Sequence, residues 1–156
     1  MATSKSYEIT ITNNLTEKEA IDFVMKEDKS LCNPTKEARK QLLEIFELPM
    51  SFSRAFDLIS VPQRDQNSNV LSFDSIEDIT FVELKTTKKA LPNNLRGFFF
   101  GATENEFELA GRLGNQYKFC FVSLHDDTKS FVYQSLEEIE EIITNKRIQY
   151  QINLKK

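Results

Sequence analysis

The segment Ile79 to Thr87, I-T-F-V-E-L-K-T-T, places an acid and a base two residues apart in a run that reads as a β-strand. Side chains alternate faces along a strand, so Phe81, Glu83, Lys85 and Thr87 share one side while Val82 and Leu84 share the other. A carboxylate and an ammonium therefore sit side by side, and burying charge on a central strand is costly unless it is paired or holds a metal. The structural alternative is a salt bridge on a half-exposed strand. A second acid upstream, Asp57 in the apolar run Arg54 to Val61, tips the reading towards chemistry.

Asp57 and Glu83 lie on strands that a short turn can make adjacent, so with Lys85 three groups can converge without any long-range assumption. Two carboxylates close together suit a hard, oxygen-seeking cation such as magnesium, which takes one or two carboxylates and completes its shell with water and substrate phosphate. A lysine beside such an ion can orient or deprotonate an attacking water and stabilise charge on the phosphate. The chemistry that needs this set is phosphodiester hydrolysis.

Composition narrows the alternatives. With 156 residues, 40% of them hydrophobic and 28% charged, the chain reads as one globular domain over residues 1–156. Its apolar runs are too short for a membrane helix, and Met1-Ala2-Thr3-Ser4-Lys5 lacks the apolar core of a signal peptide, so no membrane partner and a cytoplasmic location are expected. Cys32 and Cys120 have no paired spacing and read as reduced structural thiols. A single histidine, His125, argues against most zinc sites and histidine-based catalysis, and no glycine-rich phosphate loop, nucleophile elbow or H-E-x-x-H pattern is present. The net charge of −4 is unfavourable to a nucleic-acid partner. The basic residues Lys85, Lys88, Lys89, Arg96, Arg112 and Lys118 nevertheless gather in mid-chain, while Glu137, Glu138, Glu140 and Glu141 load a later helix, so a local positive face can coexist with an acidic total.

The elements that must position these groups follow from periodicity and caps. Tyr7, Ile9 and Ile11 alternate as a short strand, and Thr16 with Glu19 forms a capping box opening a helix to about Lys26. Ala38, Leu42, Ile45 and Phe46 mark a second helix ending before Pro49. Arg54 to Val61 reads as a strand, Val70 to Phe73 as an extension of its return strand, and Phe98 to Phe100 as a short buried strand between Gly97 and Gly101. Thr103 with Glu106 caps a third helix that stops at Gly114. Tyr117 to Leu124 and Ser130 to Tyr133 read as paired strands, Ser135 with Glu138 opens a helix through about Thr144, and Ile148 to Ile152 alternates as a last edge strand. The order implies an α/β or α+β fold with a mixed sheet.

At these residues the sequence resembles the PD-(D/E)xK, or restriction-endonuclease-like, nuclease superfamily. Phe56-Asp57-Leu58-Ile59 matches the strand bearing the first acid, and Val82-Glu83-Leu84-Lys85-Thr86-Thr87 the E-x-K strand. The stretch Phe100 to Val122, containing T-E-N-E-F-E-L-A-G-R-L-G-N-Q-Y, is similar to a subgroup whose domain also occurs at the C-terminus of larger proteins. The resemblance implies a mixed sheet flanked by helices. It also implies Asp57, Glu83 and the backbone carbonyl of Leu84 as ligands of magnesium, with manganese able to substitute, and Lys85 as the catalytic lysine. Ala55 and Phe56 stand where a proline can precede the acid, and the separation of Asp57 from Glu83 is towards the long side. Asp78 is therefore the alternative first acid, disfavoured by its place at a strand start beside a turn.

The expected function is that of a metal-dependent DNA endonuclease in restriction or mobile-element biology, with Lys88, Lys89 and Arg96 touching phosphates. The alternative is a non-catalytic module of the same fold that binds nucleic acid or protein. A homodimer is left open. Arg96-Gly97-Phe98-Phe99-Phe100 also resembles the first half of an RNA-recognition-motif strand, but Gly101 and Thr103 break the remainder.

Overall fold

The computed structural model describes residues 7–10, 19–65 and 67–156. Its centre is a five-stranded mixed sheet in the order β2 (Leu31–Cys32), β3 (Leu58–Ser60), β5 (Thr80–Thr87), β6 (Tyr117–Ser123) and β7 (Ser130–Gln134). Every neighbouring pair is antiparallel except β5 and β6, which run parallel from Phe81↔Tyr117 to Thr87↔Ser123. A parallel pair needs a crossover, and the helix α3 (Glu104–Leu113) lies in that connection. The fold is α+β.

Period-two alternation decides which residues each face buries. On one side Ile59, Phe81, Phe119 and Phe121 pack with Ala38, Leu42 and Leu43 of α2 (Lys36–Ile45) and with Leu109 and Ala110 of α3. On the other, Leu58, Val82, Cys120 and Val122 meet Ala20, Ile21 and Val24 of α1 (Glu19–Glu27). Strand β6 contributes to both layers and is buried over nearly its whole length, as a central strand in a covered sheet must be. Both cysteines are buried free thiols, and burial pushes each up to about 12. Among the described residues no helix is long and apolar enough to cross a membrane.

The caps read from the sequence are present where they can be seen. Thr103 and Ser135 each form a reciprocal capping box with the glutamate three residues on, and Thr35 caps α2 by accepting from the Ala38 amide at 3.1 Å. Thr16 and the end of the first strand lie outside the described residues.

Several segments differ from expectation. Arg54 to Val61 is not one strand: a 3₁₀ turn occupies Met50–Arg54, and only Leu58–Ser60 joins the sheet. The carbonyls between them are taken by side chains, Ala55 by the Tyr117 hydroxyl and Phe56 and Asp57 by the Arg39 guanidinium, so they cannot extend the ladder. Val70–Phe73, β4, does not return beside β3 but pairs with β1 (Tyr7–Thr10) in a separate two-stranded sheet. Phe98 to Phe100 forms no strand; the two outer rings turn inward while Phe99 is 91% exposed. The last helix, α4 (Leu136–Glu140), ends before Thr144, where the Ile142 and Ile143 amides both fold back onto the Ile139 carbonyl. Ile148 to Ile152 is unpaired and largely exposed. Alternation specifies which side of a strand would be buried, not whether a neighbouring strand exists to bury it.

Candidate active site

Glu83 and Lys85 project from β5 on the side of Phe81, beside Phe119 and Phe121 of β6. The β3–β5 pairing stops at Leu58↔Val82, and Asp57, the residue before it, lies near enough to Glu83 for its charge to act on that acid. The ladder ends there in an unusual way. The Asp57 amide donates to the Val82 carbonyl at 2.9 Å, while Asp57 Oδ2 accepts from the Leu84 amide at 2.8 Å. A carboxylate thus stands where a strand carbonyl would otherwise serve Leu84. Arg39, reaching from α2, donates from Nη2 to the Asp57 carbonyl at 2.6 Å and from Nη1 to the Phe56 carbonyl, with its guanidinium 4.8 Å above the Phe56 ring. This clamp holds the chain out of the sheet so that the acid can turn in.

Lys85 Nζ lies 2.5 Å from Glu106 Oε1, 2.8 Å from the Gly101 carbonyl and 3.7 Å from Glu83 Oε1. The other oxygen of Glu106 accepts from the Thr103 amide at 3.0 Å and its hydroxyl at 2.8 Å. One glutamate therefore closes the helix cap with one oxygen and fixes the lysine with the other. The lysine side chain is only 10% exposed.

Glu83 is treated differently. Its Oε2 is buried with no hydrogen-bond partner, and its nearer oxygen faces a lysine already engaged at shorter distance by Glu106. Burial first, then the negative charges of Asp57 and Glu106, push its carboxyl up to about 9 against the opposing pull of Lys85, and a hydrogen bond to Asp57 adds to the rise. Burial also lowers Arg39, with Asp57 and Glu83 working the other way.

The sequence-derived residues divide by place. Asp57, Glu83 and Lys85 come together, with Leu84 between the last two and its amide bound to Asp57. Asp78 does not join them: it is exposed in the turn before β5, at the opposite end of the β3–β5 ladder from Asp57. Lys88, Lys89 and Arg96 are exposed on the segment leaving β5, anchored where the Ser123 hydroxyl donates to the Lys89 carbonyl at 2.7 Å. A pocket of about 300 Å³ opens beside Asp57, bounded by Leu84, Thr86 and Glu19.

Two residues of the site were not singled out from sequence. Glu106 was visible only as the third residue of a capping box, although it lies in register with the buried stripe of Leu109 and Ala110, an unusual place for an acid. Arg39 likewise falls three and four residues before the buried Leu42 and Leu43. A charge aligned with a helix's apolar stripe is the signal both share.

Among the described residues no group of three or more histidine, cysteine, aspartate or glutamate side chains is arranged to hold a metal ion. A pair, Asp57 and Glu83, is present, and an unpartnered buried carboxylate oxygen is the donor a cation would satisfy. Comparison with family models, curated proteins and solved structures gives no match to this chain.

Proposed function

We propose that the chain is a restriction-endonuclease-like, divalent-metal-dependent deoxyribonuclease, acting in restriction or mobile-element biology. The observation that carries the reading is the meeting of Asp57, Glu83 and Lys85 at the end of the β3–β5 ladder, with Glu83 Oε2 buried and unsatisfied. Asp57, Glu83 and the Leu84 carbonyl would hold magnesium or manganese, two carboxylates being the number magnesium commonly takes. When bound, that ion supplies a polarised water and neutralises charge on the phosphate.

The chain's own residues do the rest. Arg39 sets the backbone at Asp57, so that its carboxylate stays at the strand end and does not swing to solvent. Glu106 keeps Lys85 oriented, which suits a lysine that stabilises negative charge on a phosphate oxygen. Lys88, Lys89 and Arg96 are free to meet flanking phosphates through exposed side chains.

The tight Lys85–Glu106 pair also favours a second reading, a nucleic-acid- or protein-binding module on this fold in which the charges serve only structure. Incubation of the protein with plasmid DNA and magnesium or manganese separates them. The nuclease reading expects nicking or linearisation that a chelator stops and that Lys85→Ala and Glu83→Gln lose. A wild-type protein that binds neither ion and nicks no DNA would overturn it.

A further inference from the structure

The segment after Arg96 holds an aromatic side chain away from the core while both its neighbours are anchored. Phe98 packs edge-on against Phe121 at 5.1 Å, Phe100 does so at 5.2 Å, and the Phe98 amide closes a turn onto the Leu95 carbonyl at 3.0 Å. Gly97 permits the turn with φ of 74°. On the far side the Gly101 carbonyl accepts from Lys85 Nζ at 2.8 Å, and that ammonium lies 5.9 Å from the Phe100 ring. Phe99 is thus fixed at both ends, one end on the aromatic stripe of β6 and the other on the lysine of the candidate site.

A single exposed apolar side chain means little by itself. Here three features coincide: the ring is presented by an anchored segment, that segment is bonded to Lys85, and the exposed cations Arg96, Lys88 and Lys89 lie on the same stretch of chain. Aromatic rings beside a cationic track are how proteins hold single-stranded nucleic acid, with bases stacked on the rings and phosphates on the cations. In a duplex the base faces are already stacked on one another, so an isolated ring gains most from an unpaired base.

We propose that Phe99 is the stacking platform for an unpaired base next to the phosphate that is cut, and that the preferred substrate is single-stranded DNA. The inference rests on the nuclease reading for its setting, yet it concerns binding and can fail by itself. The ring carries no core packing, so its removal leaves the fold intact.

The test uses the full wild-type chain in chelator, which withholds the ion that turnover would need and leaves the Lys85 bond to the Gly101 carbonyl in place. Fluorescence anisotropy measures binding of a labelled oligothymidylate of about 16 nucleotides and of a duplex of equal length. The expected result is tighter binding of the single strand, weakened roughly 5- to 100-fold by Phe99→Ala and restored by Phe99→Trp, with duplex affinity changed less than about twofold. Unchanged single-strand affinity in Phe99→Ala, beside plasmid nicking by the wild type, would overturn the stacking role and leave the nuclease standing. Equal losses on both oligonucleotides, or a change in the protein's sedimentation in place of its DNA affinity, would overturn it too. No binding of either oligonucleotide would remove it together with the nucleic-acid reading.

Discussion

Asp28, just past the end of α1, and Glu83, on the central strand β5, are acids satisfied in opposite ways. Asp28 Oδ1 accepts from the Ser30 amide at 3.0 Å and its hydroxyl at 2.7 Å, and Oδ2 accepts from the Tyr133 hydroxyl at 2.7 Å. The Ser30 hydroxyl lies 2.7 Å from that of Ser60, so this cluster ties the end of α1 to β3 and β7. Burial alone would raise Asp28, but the bonds from Tyr133 and Ser30 outweigh it and hold the carboxyl below the usual aspartate range. Glu83 has one oxygen at 3.7 Å from a shared lysine and the other buried with no donor, its further polar neighbour being another acid, Asp57. An acid whose oxygens are all bonded stabilises a fold; one left without donors costs it stability.

The comparison breaks most readily on cleavage, where the largest effect is expected. Lys85→Ala should lower plasmid nicking by at least about 100-fold, and Glu83→Gln should do the same, whereas Asp28→Asn should leave the rate of folded protein unchanged. Nicking assays normalised to the folded fraction check this. Lost cleavage in Asp28→Asn at unchanged stability would erase the distinction between the two acids.

On stability the signs reverse. Asp28→Ala strips the half-buried Tyr133 hydroxyl of its acceptor and should cost about 1–3 kcal/mol. Glu83→Gln replaces an acid that must take up a proton on folding with a side chain that is always neutral, and should be neutral or stabilising by about 1 kcal/mol in chelator. Urea denaturation of both variants gives the comparison. A Glu83→Gln loss as large as that of Asp28→Ala would make Glu83 a structural acid.

Opposite pH slopes sharpen the contrast further. The Glu83 carboxyl rises from its ordinary 4.5 to about 9 on folding, so between those values the folded state binds more protons than the unfolded. Stability of the metal-free protein should therefore fall as pH rises through that window, and Glu83→Gln should flatten the slope. Asp28 is depressed below its ordinary 3.8, so its contribution is present above that value and is lost as pH falls beneath it. Denaturation at a series of pH values in chelator reads both.

The smallest expected effect belongs to the cap. Thr103→Ala removes the hydroxyl bond to Glu106 and should cost about 1 kcal/mol, leaving Glu106 able to accept from the residue 103 amide. Cleavage should change little. Lost cleavage at unchanged melting would show that the cap positions Lys85 and does not merely close the helix.

What the sequence disclosed divides along the range of the forces involved. Glu83 and Lys85 were legible because period two is local, and Thr103 with Glu106 because a capping box spans one turn. The termination of the strand at Asp57 was not, since it depends on Arg39 and Tyr117, which are distant in sequence and take the carbonyls that would have continued the ladder. The same limit applies to Phe98 to Phe100, where rings of one type take opposite environments because β6 offers Phe121 to the outer two and nothing to Phe99. Alternation at Ile148 to Ile152 was real, but no strand among the described residues meets it.

The central claim is that Glu83 is bare because a cation belongs beside it. Isothermal titration of manganese at pH 7.5, repeated in buffers of different ionisation enthalpy, tests this directly, since a ligand protonated in the free protein must give up its proton on binding. The account predicts binding by the wild type with release of up to about one proton, and weaker binding without that release in Glu83→Gln. Absence of manganese and magnesium binding, or binding that Glu83→Gln leaves unaltered in strength and proton release, would contradict it.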